Sequence, residues 1–464
     1  MKRQPKIGLL PFFLKLYDDT MPTIRLEFEP FITTVVDGLA AEDVSAVRAD
    51  ICRVEPEFRE AARRFQQEDV DLIITLHLAY SPSLESIEAL TSIARPILIL
   101  DTTMDYDFGR NIDAERIMFN HGVHGVQDLT SMLRRKGIRF EIVAGHITQS
   151  NVLKRAADIA RAAYAARILR AVKVLRIGET FRGMGDFAVP DRILQEVFGI
   201  SVDEIGLEVL ADEIEGVSNP EIEDEIRRDR ERFTVNLAEN VHRRSVQVGL
   251  ALRRLLEKGN YAAFSMNFLA FTSVEGSVDT IPFLEASKAM GRGLGYAGEG
   301  DVLTASLVAA LNGAFGRTTF TEVFCPDWKG GSLFLSHMGE INPEVAAKMP
   351  RLCEKVFPWT DARHPAIITC APAPGPAVLV NLAPGPDDTF SLIISPVEVL
   401  GDTTNPALND SVRGWIRPLC PLETFLEQYS RFGGTHHSAL VLGDHTEAIA
   451  AFASFAGIEW KIIK

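Results

Sequence analysis

Val70-Asp-Leu-Ile-Ile-Thr-Leu76 is a nearly unbroken apolar run of strand length, and Pro96-Ile-Leu-Ile-Leu-Asp101 repeats the pattern after one helix-like segment. Apolar strands that alternate with helices are typical of a parallel sheet covered by helices on both faces. The same alternation runs back towards the start of the chain, with strands predicted over residues 7–14 and 46–54 and helices over 25–40, 57–68 and 84–93. The pattern predicts an N-terminal α/β domain over residues 1–170.

The alternation starts again after a long Ala- and Arg-rich helix predicted over residues 151–171. Ala171-Val-Lys-Val-Leu-Arg-Ile-Gly178 is interpreted as a strand that enters a Gly-rich loop. Further elements are predicted as a helix over 190–198, a strand over 202–207, one long charged helical stretch over 219–258 and a strand over 261–268. Together they predict a second α/β domain over residues 171–317.

The sequence pattern changes beyond Thr318, where short strand-like runs are separated by Pro and Gly. Regularly spaced short strands with turn residues between them indicate an antiparallel sandwich or barrel. A third, mainly antiparallel β domain is therefore expected over residues 318–464, and its last segment, 438–464, is interpreted as strand, helix and strand.

Composition excludes several classes of function. The chain has 464 residues, 46% of them hydrophobic, and a net charge of −15, which argues against a nucleic-acid partner because phosphate binding needs a basic face. The apolar run near the N-terminus is too short for a signal-peptide core, and no run has the length that a membrane helix needs. The five cysteines contain no CxxC pair, so we expect reduced thiols and a cytoplasmic protein.

Two glutamates and three histidines stand in apolar or Gly-rich settings in the second half of the chain. They occur in Gly295-Tyr-Ala-Gly-Glu-Gly-Asp301, Phe320-Thr-Glu-Val-Phe324, Leu335-Ser-His-Met-Gly339 and Gly433-Gly-Thr-His-His-Ser438. Mixed carboxylate and imidazole ligands suit Mn²⁺, Co²⁺, Fe²⁺ or Zn²⁺ rather than an all-oxygen Ca²⁺ site. The set therefore predicts a divalent-metal site assembled by the fold.

Each residue of this set also has a purely structural interpretation. Glu299 fits an acid that caps the predicted helix after it, because the helix dipole favours a negative charge near the helix N-terminus. Glu322 lies on an alternating strand, where a buried carboxylate is costly unless it is paired, ligated or solvated. His337 fits a hydrogen-bonded core histidine. Because neighbours in a strand point to opposite faces, at most one of His436 and His437 is expected to face a shared site.

Five collinear segments resemble the L-arabinose isomerases, which belong to the wider L-fucose/L-arabinose isomerase-like group. These segments are Tyr261-Ala-Ala-Phe264, Gly295 to Asp301, Thr319-Phe-Thr-Glu322, Leu335-Ser-His-Met338 and Gly433-Gly-Thr-His-His437. The N-terminal half matches more loosely, through Leu76-His-Leu-Ala-Tyr-Ser-Pro82, Asn120-His-Gly-Val-His-Gly125 and Val172-Lys-Val-Leu-Arg-Ile-Gly178.

The resemblance implies an aldose–ketose isomerase that works through a cis-enediol, with two flavodoxin-like domains before the β domain. It implies Mn²⁺, or another divalent ion such as Co²⁺ or Fe²⁺, on Glu299, Glu322, His337 and His437, with His436 as the fallback for His437. The two glutamates would form the acid/base pair. It also implies a homo-oligomer, a trimer or hexamer, with active sites at subunit boundaries.

Weaker expectations concern contacts with the sugar. By the resemblance, His124 reaches the sugar from a neighbouring subunit, and Tyr17 and Phe268 lie near the sugar pocket. The alternatives are a loop or capping histidine and two core aromatic residues. His77, at a predicted strand end, either lines the cleft or makes a hydrogen bond within a loop.

The chain departs from the family in three stretches: Val-Phe-Cys-Pro-Asp-Trp-Lys-Gly-Gly after Glu322, Ser265-Met-Asn-Phe-Leu-Ala-Phe271 and Asp101-Thr-Thr-Met-Asp-Tyr-Asp107. These changes affect pocket walls more than metal ligands, so another pentose, a hexose, a deoxy or branched sugar or a sugar acid stays open as substrate. The alternatives are an epimerase or decarboxylase of the same fold, a non-catalytic sugar-binding protein and a purely structural metal site.

Overall fold

The computed structural model describes residues 4–273, 276–402 and 406–464. The chain divides into two compact units. One comprises the chain up to Tyr164 together with Glu447–Phe455, and the other comprises Ala165–Thr446 together with Ala456–Lys464. The first unit has an α/β fold with a parallel sheet, and the second has a parallel-sheet α/β layer followed by an antiparallel barrel, as the sequence predicts. The three domain boundaries stay a prediction.

The first unit contains a parallel sheet of five strands in the order β2-β1-β3-β4-β5. This is the flavodoxin-like strand order. The strands are β1 Lys6–Phe12, β2 Ser45–Arg48, β3 Leu72–His77, β4 Ile97–Asp101 and β5 Glu141–Ala144. All six residues of the central strand β3 are buried, as its apolar sequence requires.

Helices alternate with these strands. They are α1 Lys15–Thr20, α2 Glu29–Ala41, α3 Glu55–Gln67, α4 Ser83–Ser92 and α5 Val123–Arg135, followed by the long helix α6 Val152–Leu169. Phe58 and Phe65 lie on the buried face of α3. Gly8 of β1 leaves room for the ring of Phe65, because a Cβ atom at position 8 would lie 2.7 Å from that ring.

The second unit begins with another α/β layer. Its strands are β6 Lys173–Ile177, β7 Ser201–Ile205, β8 Thr234–Asn236, β9 Ala263–Met266 and β10 Gly295–Gly298. Four of them form a parallel sheet in the order β10-β9-β6-β7, which is again a flavodoxin-like order. Its helices are α7 Asp191–Phe198, α8 Leu207–Glu215, α9 Asn219–Arg232, α10 Glu239–Lys258, α11 Phe283–Gly291 and α12 Val302–Phe315.

The prediction of one long helical stretch over residues 219–258 is wrong. Helix α9 ends at Arg232, and the short strand β8 separates it from α10. Phe233, Thr234 and Val235 are residues that favour extended backbone, and Phe233 is buried. The surrounding charged residues hid this short break in the sequence pattern.

A closed antiparallel barrel follows. The remaining strands are β11 Thr318–Asp327, β12 Ser332–Ser336, β13 Arg351–Glu354, β14 Ala366–Thr369, β15 Gly375–Pro384, β16 Phe390–Val399, β17 Gly414–Pro418, β18 His437–Leu442 and β19 Glu459–Ile462. Six of them pair in the order β15-β18-β11-β12-β17-β16, and β16 pairs back with β15. Closure removes the free edges of this sheet.

Smaller elements complete the structure. Strand β19 pairs in parallel with β16, and β8, β13 and β14 form a separate three-stranded sheet. The last two helices are α13 Leu422–Arg431 and α14 Thr446–Ala456. Residues 447–455 of α14 belong to the first unit, where Arg155 donates hydrogen bonds of 2.6 and 3.0 Å to the carboxylate of Glu447. Among the described residues, no helix combines the length and apolarity needed to span a membrane.

Candidate metal centre

Glu299 lies in the tight turn between β10 and α12. Its backbone is left-handed, with φ of 64°, and two hydrogen bonds fix the turn: the Glu299 N–H donates to the Met266 carbonyl at 2.7 Å, and the Glu299 carbonyl accepts from the Phe181 N–H at 2.9 Å. The next residue must be glycine, because Gly300 also has positive φ and a Cβ atom there would lie 2.6 Å from Thr180 Cα. The turn aims the Glu299 side chain into the interior.

Glu299 does not cap the helix that follows it. The N-cap of α12 is Asp301, whose carboxylate accepts a 2.8 Å hydrogen bond from the Thr304 N–H. The interpretation of Glu299 as a helix-capping acid is therefore wrong. Its carboxylate is available for another role, although the side chain is only 3% exposed.

The barrel brings the other predicted ligands together by strand register. Glu322 of β11 lies opposite His437 of β18 on one side and opposite Ser336 of β12 on the other. His337 follows Ser336 directly. Residues paired across antiparallel strands hold their Cβ atoms within about 5 Å of each other, so residues far apart in sequence meet at one end of the barrel.

The ligand atoms converge. His437 Nε2 lies 3.2 Å from Glu322 Oε1 and 3.4 Å from Glu299 Oε2, and His337 Nε2 lies 3.8 Å from Glu322 Oε1. The ligand atoms of Glu299, Glu322, His436 and His437 lie within 4.8 Å of one another.

Both adjacent histidines face the carboxylates, and the expectation that at most one would do so is wrong. His436 Nε2 lies 3.6 Å from Glu299 Oε2 and 3.6 Å from Glu322 Oε1. Strand β18 begins at His437, so His436 precedes the strand and is not subject to its alternation of faces.

Three of these atoms are buried and have no hydrogen-bond partner: Glu299 Oε2, His337 Nε2 and His437 Nε2. Leaving a buried polar group without a hydrogen bond lowers the free energy of unfolding by about 1–3 kcal/mol. Three such atoms that point at one spot are therefore costly unless a further group binds there. A divalent cation would satisfy all three, and the donor types match the mixed oxygen and nitrogen ligands of Mn²⁺, Fe²⁺ or Co²⁺.

A second layer of carboxylates orients the buried imidazoles. Asp301 Oδ2 accepts from His437 Nδ1 at 2.9 Å, and Glu340 Oε2 accepts from His337 Nδ1 at 2.7 Å. Glu340 in turn accepts a 2.5 Å hydrogen bond from the hydroxyl of Tyr296. A neutral imidazole that donates through Nδ1 presents the lone pair of its Nε2 to the site, which is the usual arrangement behind metal-bound histidine.

Comparison with known proteins identifies the family of this chain. Three family profiles match in sequence order: the L-arabinose isomerase N-terminal domain over residues 35–171, the central domain over 173–314 and the C-terminal domain over 317–459. The chain belongs to the L-arabinose isomerase family. Members of this family are aldose–ketose isomerases, so this chain is an intramolecular oxidoreductase that acts on a sugar. The wider grouping with the L-fucose isomerases stays a prediction.

Individual L-arabinose isomerases are similar over most of their length. L-arabinose isomerase 1 of Bacillus licheniformis is 28% identical over 453 residues, covering 94% of this chain and 90% of its own length. The L-arabinose isomerase of Nocardioides sp. is 27% identical and covers 85% of this chain and 80% of its own length. That of Geobacillus stearothermophilus is 27% identical, with 84% and 80% covered.

Aromatic rings hold the imidazoles of this L-arabinose isomerase family member in place. The ring of Phe187 stacks on His437 with centroids 4.8 Å apart, and Phe320 meets His337 and His437 edge-on at 4.7 and 4.9 Å. Gly298 leaves space for the His337 ring, because a Cβ atom at position 298 would lie 2.7 Å from its Cε1. The apolar rings also keep water from the buried side of the site.

The electrostatics of the site favour ionised carboxylates. Burial opposes ionisation of Glu299, but the neighbouring imidazoles of His436, His437 and His337 outweigh it and lower the pKa of Glu299 to about 2. Burial likewise opposes ionisation of Glu322, and His437 and His337 lower its pKa. Two carboxylates that stay negative in a buried pocket form an attractive site for a cation.

Three residues important to this arrangement were not predicted as functional. Glu340 stands three positions after His337, a spacing that gives no signal outside a helix. Asp301 lies in the same short segment as Glu299, and the sequence gives no sign that it orients a histidine. Asp186, which contacts His436, lies 250 positions away in sequence, and only the fold brings the two together.

The predicted sugar contacts fall into two places. Phe268 lies in the second unit, 7% exposed, with its ring 5.7 Å from Phe181 and 5.6 Å from Phe357, so it packs as a core aromatic residue. Tyr17 and His124 lie in the first unit, each beside His121. The Tyr17 hydroxyl is 3.2 Å from His121 Nε2, and the two histidine rings are 5.9 Å apart. Sugar contact by these three residues stays a prediction.

His77 lies at the end of β3, in the core of the first unit. Its ring stacks on Phe12 at 4.4 Å, and its Nδ1 lies 3.0 Å from Ser81 Oγ. The hydrogen-bonded alternative from the sequence is therefore present in the structure. Burial lowers the pKa of His77 to about 3, so the ring is neutral at physiological pH.

Proposed function

We propose that this chain is a divalent-metal-dependent aldose–ketose isomerase that works through a cis-enediol. Glu299, Glu322, His337 and His437 would hold Mn²⁺ or another divalent ion such as Co²⁺ or Fe²⁺. The supporting observation is that Glu299 Oε2, His337 Nε2 and His437 Nε2 are buried, lack hydrogen-bond partners and converge beside Glu322. Membership of the L-arabinose isomerase family supports the same reaction.

We assign His437 rather than His436 as the ligand of the pair. His437 is fully buried, its ring is fixed by Asp301 and Phe187, and its Nε2 has no other partner. The side chain of His436 is 39% exposed, so water can satisfy its ring nitrogen in the absence of a ligand.

A divalent ion held by these residues would supply electrophilic stabilisation of the negative charge that develops on the substrate oxygens. The protein residues supply the proton transfers. One of Glu299 and Glu322 removes the proton from the carbon beside the carbonyl, and the other handles the proton on oxygen. Their environments differ, because the side chain of Glu299 is 3% exposed and that of Glu322 is 12% exposed. Such a difference allows two carboxylates in one site to divide base and acid work.

Replacing either glutamate tests the pair. Glu299→Gln and Glu322→Gln keep the side-chain volume but remove the charge and the proton-accepting oxygen, so each should lower turnover by about 10²-fold or more. The measurement is a Mn²⁺-supplemented screen of aldoses, ketoses and sugar acids, with circular dichroism to check folding. Glu398→Gln, on the exposed side of β16, is the matched control and should leave turnover unchanged. Near-normal turnover in either site variant would contradict the assignment of Glu299 and Glu322 as the acid/base pair.

The same screen tests which sugar is the substrate. The relatives are named for L-arabinose, whereas the stretch after Glu322 departs from the family. We therefore propose an aldose–ketose pair as substrate and expect the panel to rank L-arabinose against other pentoses, hexoses, deoxy and branched sugars and sugar acids.

We further propose a cytoplasmic homo-oligomer, a trimer or a hexamer. All five cysteines are free in the structure, which agrees with a reducing compartment. Light scattering coupled to size-exclusion chromatography checks the assembly, and a monomeric active enzyme would contradict this proposal.

A further inference from the structure

The loop after β6 contacts both histidines of the adjacent pair through two consecutive residues, Asp186 and Phe187. One carboxylate oxygen of Asp186 accepts two hydrogen bonds from His436, from its backbone N–H at 2.9 Å and from its ring Nδ1 at 2.6 Å. The next residue, Phe187, stacks on the ring of His437, with planes only 9° apart. Phe187 also lies beside the His436 ring, with centroids 5.5 Å apart, but only Asp186 makes hydrogen bonds to His436 in this dipeptide.

These contacts explain how neighbouring residues can face the same carboxylates. His437 takes its direction from the barrel register, opposite Glu322. His436 takes its direction from Asp186, which anchors both the backbone and the ring just before β18 begins. Without Asp186, nothing in the strand geometry would turn the His436 ring towards Glu299 and Glu322.

The hydrogen bond to Asp186 also determines which His436 nitrogen is free. An ionised carboxylate can only accept, so Nδ1 must donate its hydrogen to Asp186. Nε2 then points to the site, 3.6 Å from both Glu299 Oε2 and Glu322 Oε1, which is beyond a normal hydrogen bond. This nitrogen keeps its hydrogen-bonding capacity for another group.

His436 differs from the two buried histidines in its access to solvent. Its side chain is 39% exposed, whereas those of His337 and His437 are 2% and 0% exposed. A polar molecule that enters the site from solvent therefore has access to His436, whereas the imidazoles of His337 and His437 are closed to it.

We propose that Asp186 is a positioning residue that holds His436 at the solvent-open side of the site, outside the metal-ligand set, where its Nε2 hydrogen-bonds a hydroxyl of the open-chain sugar. This inference rests on the proposed isomerase function and adds a substrate contact to it. The competing arrangement, in which Asp186–His436 is a carboxylate–histidine ligand pair for the metal, uses the same contacts and makes opposite predictions for metal affinity.

The experiment measures Mn²⁺ affinity and sugar kinetics on the same variants of the full-length protein. The variants are Asp186→Ala, His436→Gln as a conservative replacement, His337→Asn as a ligand control, and Asp191→Ala. Asp191 is a matched control because it is a half-exposed aspartate five residues further on, paired with Arg176 rather than with a histidine. MnCl₂ is titrated into metal-stripped protein by calorimetry, and KM and kcat are then measured with saturating Mn²⁺.

For Asp186→Ala we expect a Mn²⁺ dissociation constant within about twofold of wild type and a loss of about tenfold or more in kcat/KM, the size of one hydrogen bond to substrate. The loss should fall mainly on KM if the contact forms in the ground state. His436→Gln should lose less kcat/KM than Asp186→Ala, because the glutamine amide can still donate a hydrogen bond to the sugar from the same position. Asp191→Ala should match wild type in both measurements.

Two results would overturn the inference. A drop of about 10–100-fold in Mn²⁺ affinity in Asp186→Ala, comparable with His337→Asn, would make His436 a metal ligand. Unchanged sugar kinetics in Asp186→Ala would remove the substrate contact. Wild-type protein that binds Mn²⁺ but turns over no sugar in the screen would instead overturn the proposed function, and the affinities would still show whether His436 is a ligand.

Discussion

Glu340 is the residue on which the orientation of His337 depends. Its carboxylate bridges the Tyr296 hydroxyl and His337 Nδ1 in a fully buried chain. The other oriented histidine, His437, has an equivalent partner in Asp301. The direction in which each Nε2 lone pair points is therefore determined by a carboxylate that does not itself face the site.

Glu340→Gln tests this dependence. The amide can donate to His337 Nδ1, which would move the ring hydrogen to Nε2 and turn a ligand into a donor. We expect Mn²⁺ affinity to fall by about 10–100-fold, measured by calorimetry on folded protein. Tyr296→Phe, which removes one hydroxyl and leaves Glu340 in place, is the control and should have a smaller effect. Wild-type affinity in Glu340→Gln would contradict the orienting role.

The buried ring of His77 should make the free energy of unfolding depend on pH. Its pKa is lowered from 6.5 to about 3 by burial, so the unfolded chain binds a proton below pH 6.5 that the folded chain does not. The stability present above pH 6.5 is therefore lost as the pH falls towards 3. Between pH 7 and pH 5 this amounts to about 2 kcal/mol.

The measurement compares wild type with His77→Asn by urea unfolding at both pH values. The variant lacks the titrating ring, so its loss of unfolding free energy on acidification should be smaller than that of wild type by about 2 kcal/mol. Equal losses in the two proteins would show that His77 titrates normally in the folded state.

At the scale of elements, the site depends on β10 approaching the end of β12 without a side chain between them. Gly298→Ala introduces a Cβ atom 2.7 Å from the His337 ring, which neither rigid β10 nor the buried ring can accommodate without a shift. We expect weaker Mn²⁺ binding and lower turnover with secondary structure retained. Gly401→Ala, where nothing lies within 4 Å, is the control. Normal Mn²⁺ binding in Gly298→Ala would mean that His337 is not a ligand.

The elements also show what sequence patterns can and cannot predict. The buried strands β3 and β4 were visible because each is a continuous apolar run, whereas the three-residue strand β8 was not, because its flanks are charged and helical. Glu299 and Glu322 were found because a carboxylate in an apolar or Gly-rich setting is unusual. Glu340 and Asp186 gave no such signal, since their roles come from contacts made only in the folded chain.

For the whole molecule, strand order decides how the proposed ligands meet. The pairing of β15 with β16 closes the barrel, and β11 between β12 and β18 brings Glu322 beside His337 and His437. Short strands split by Pro and Gly predict a β domain, yet the pairing of β11 with β18 joins residues as far apart as Glu322 and His437, which local sequence patterns do not show. Family resemblance supplied the ligand set that strand patterns alone left open.

The most direct test of the account is deuterium incorporation from D₂O at the sugar carbon beside the carbonyl, catalysed by metal-stripped and by Mn²⁺-reloaded protein. We predict no exchange in the stripped protein. Exchange should return with about one ion per chain, because the proposed ion would stabilise the negative charge that develops on the substrate oxygens. Equal exchange by stripped and reloaded protein would show that the reaction does not depend on the metal.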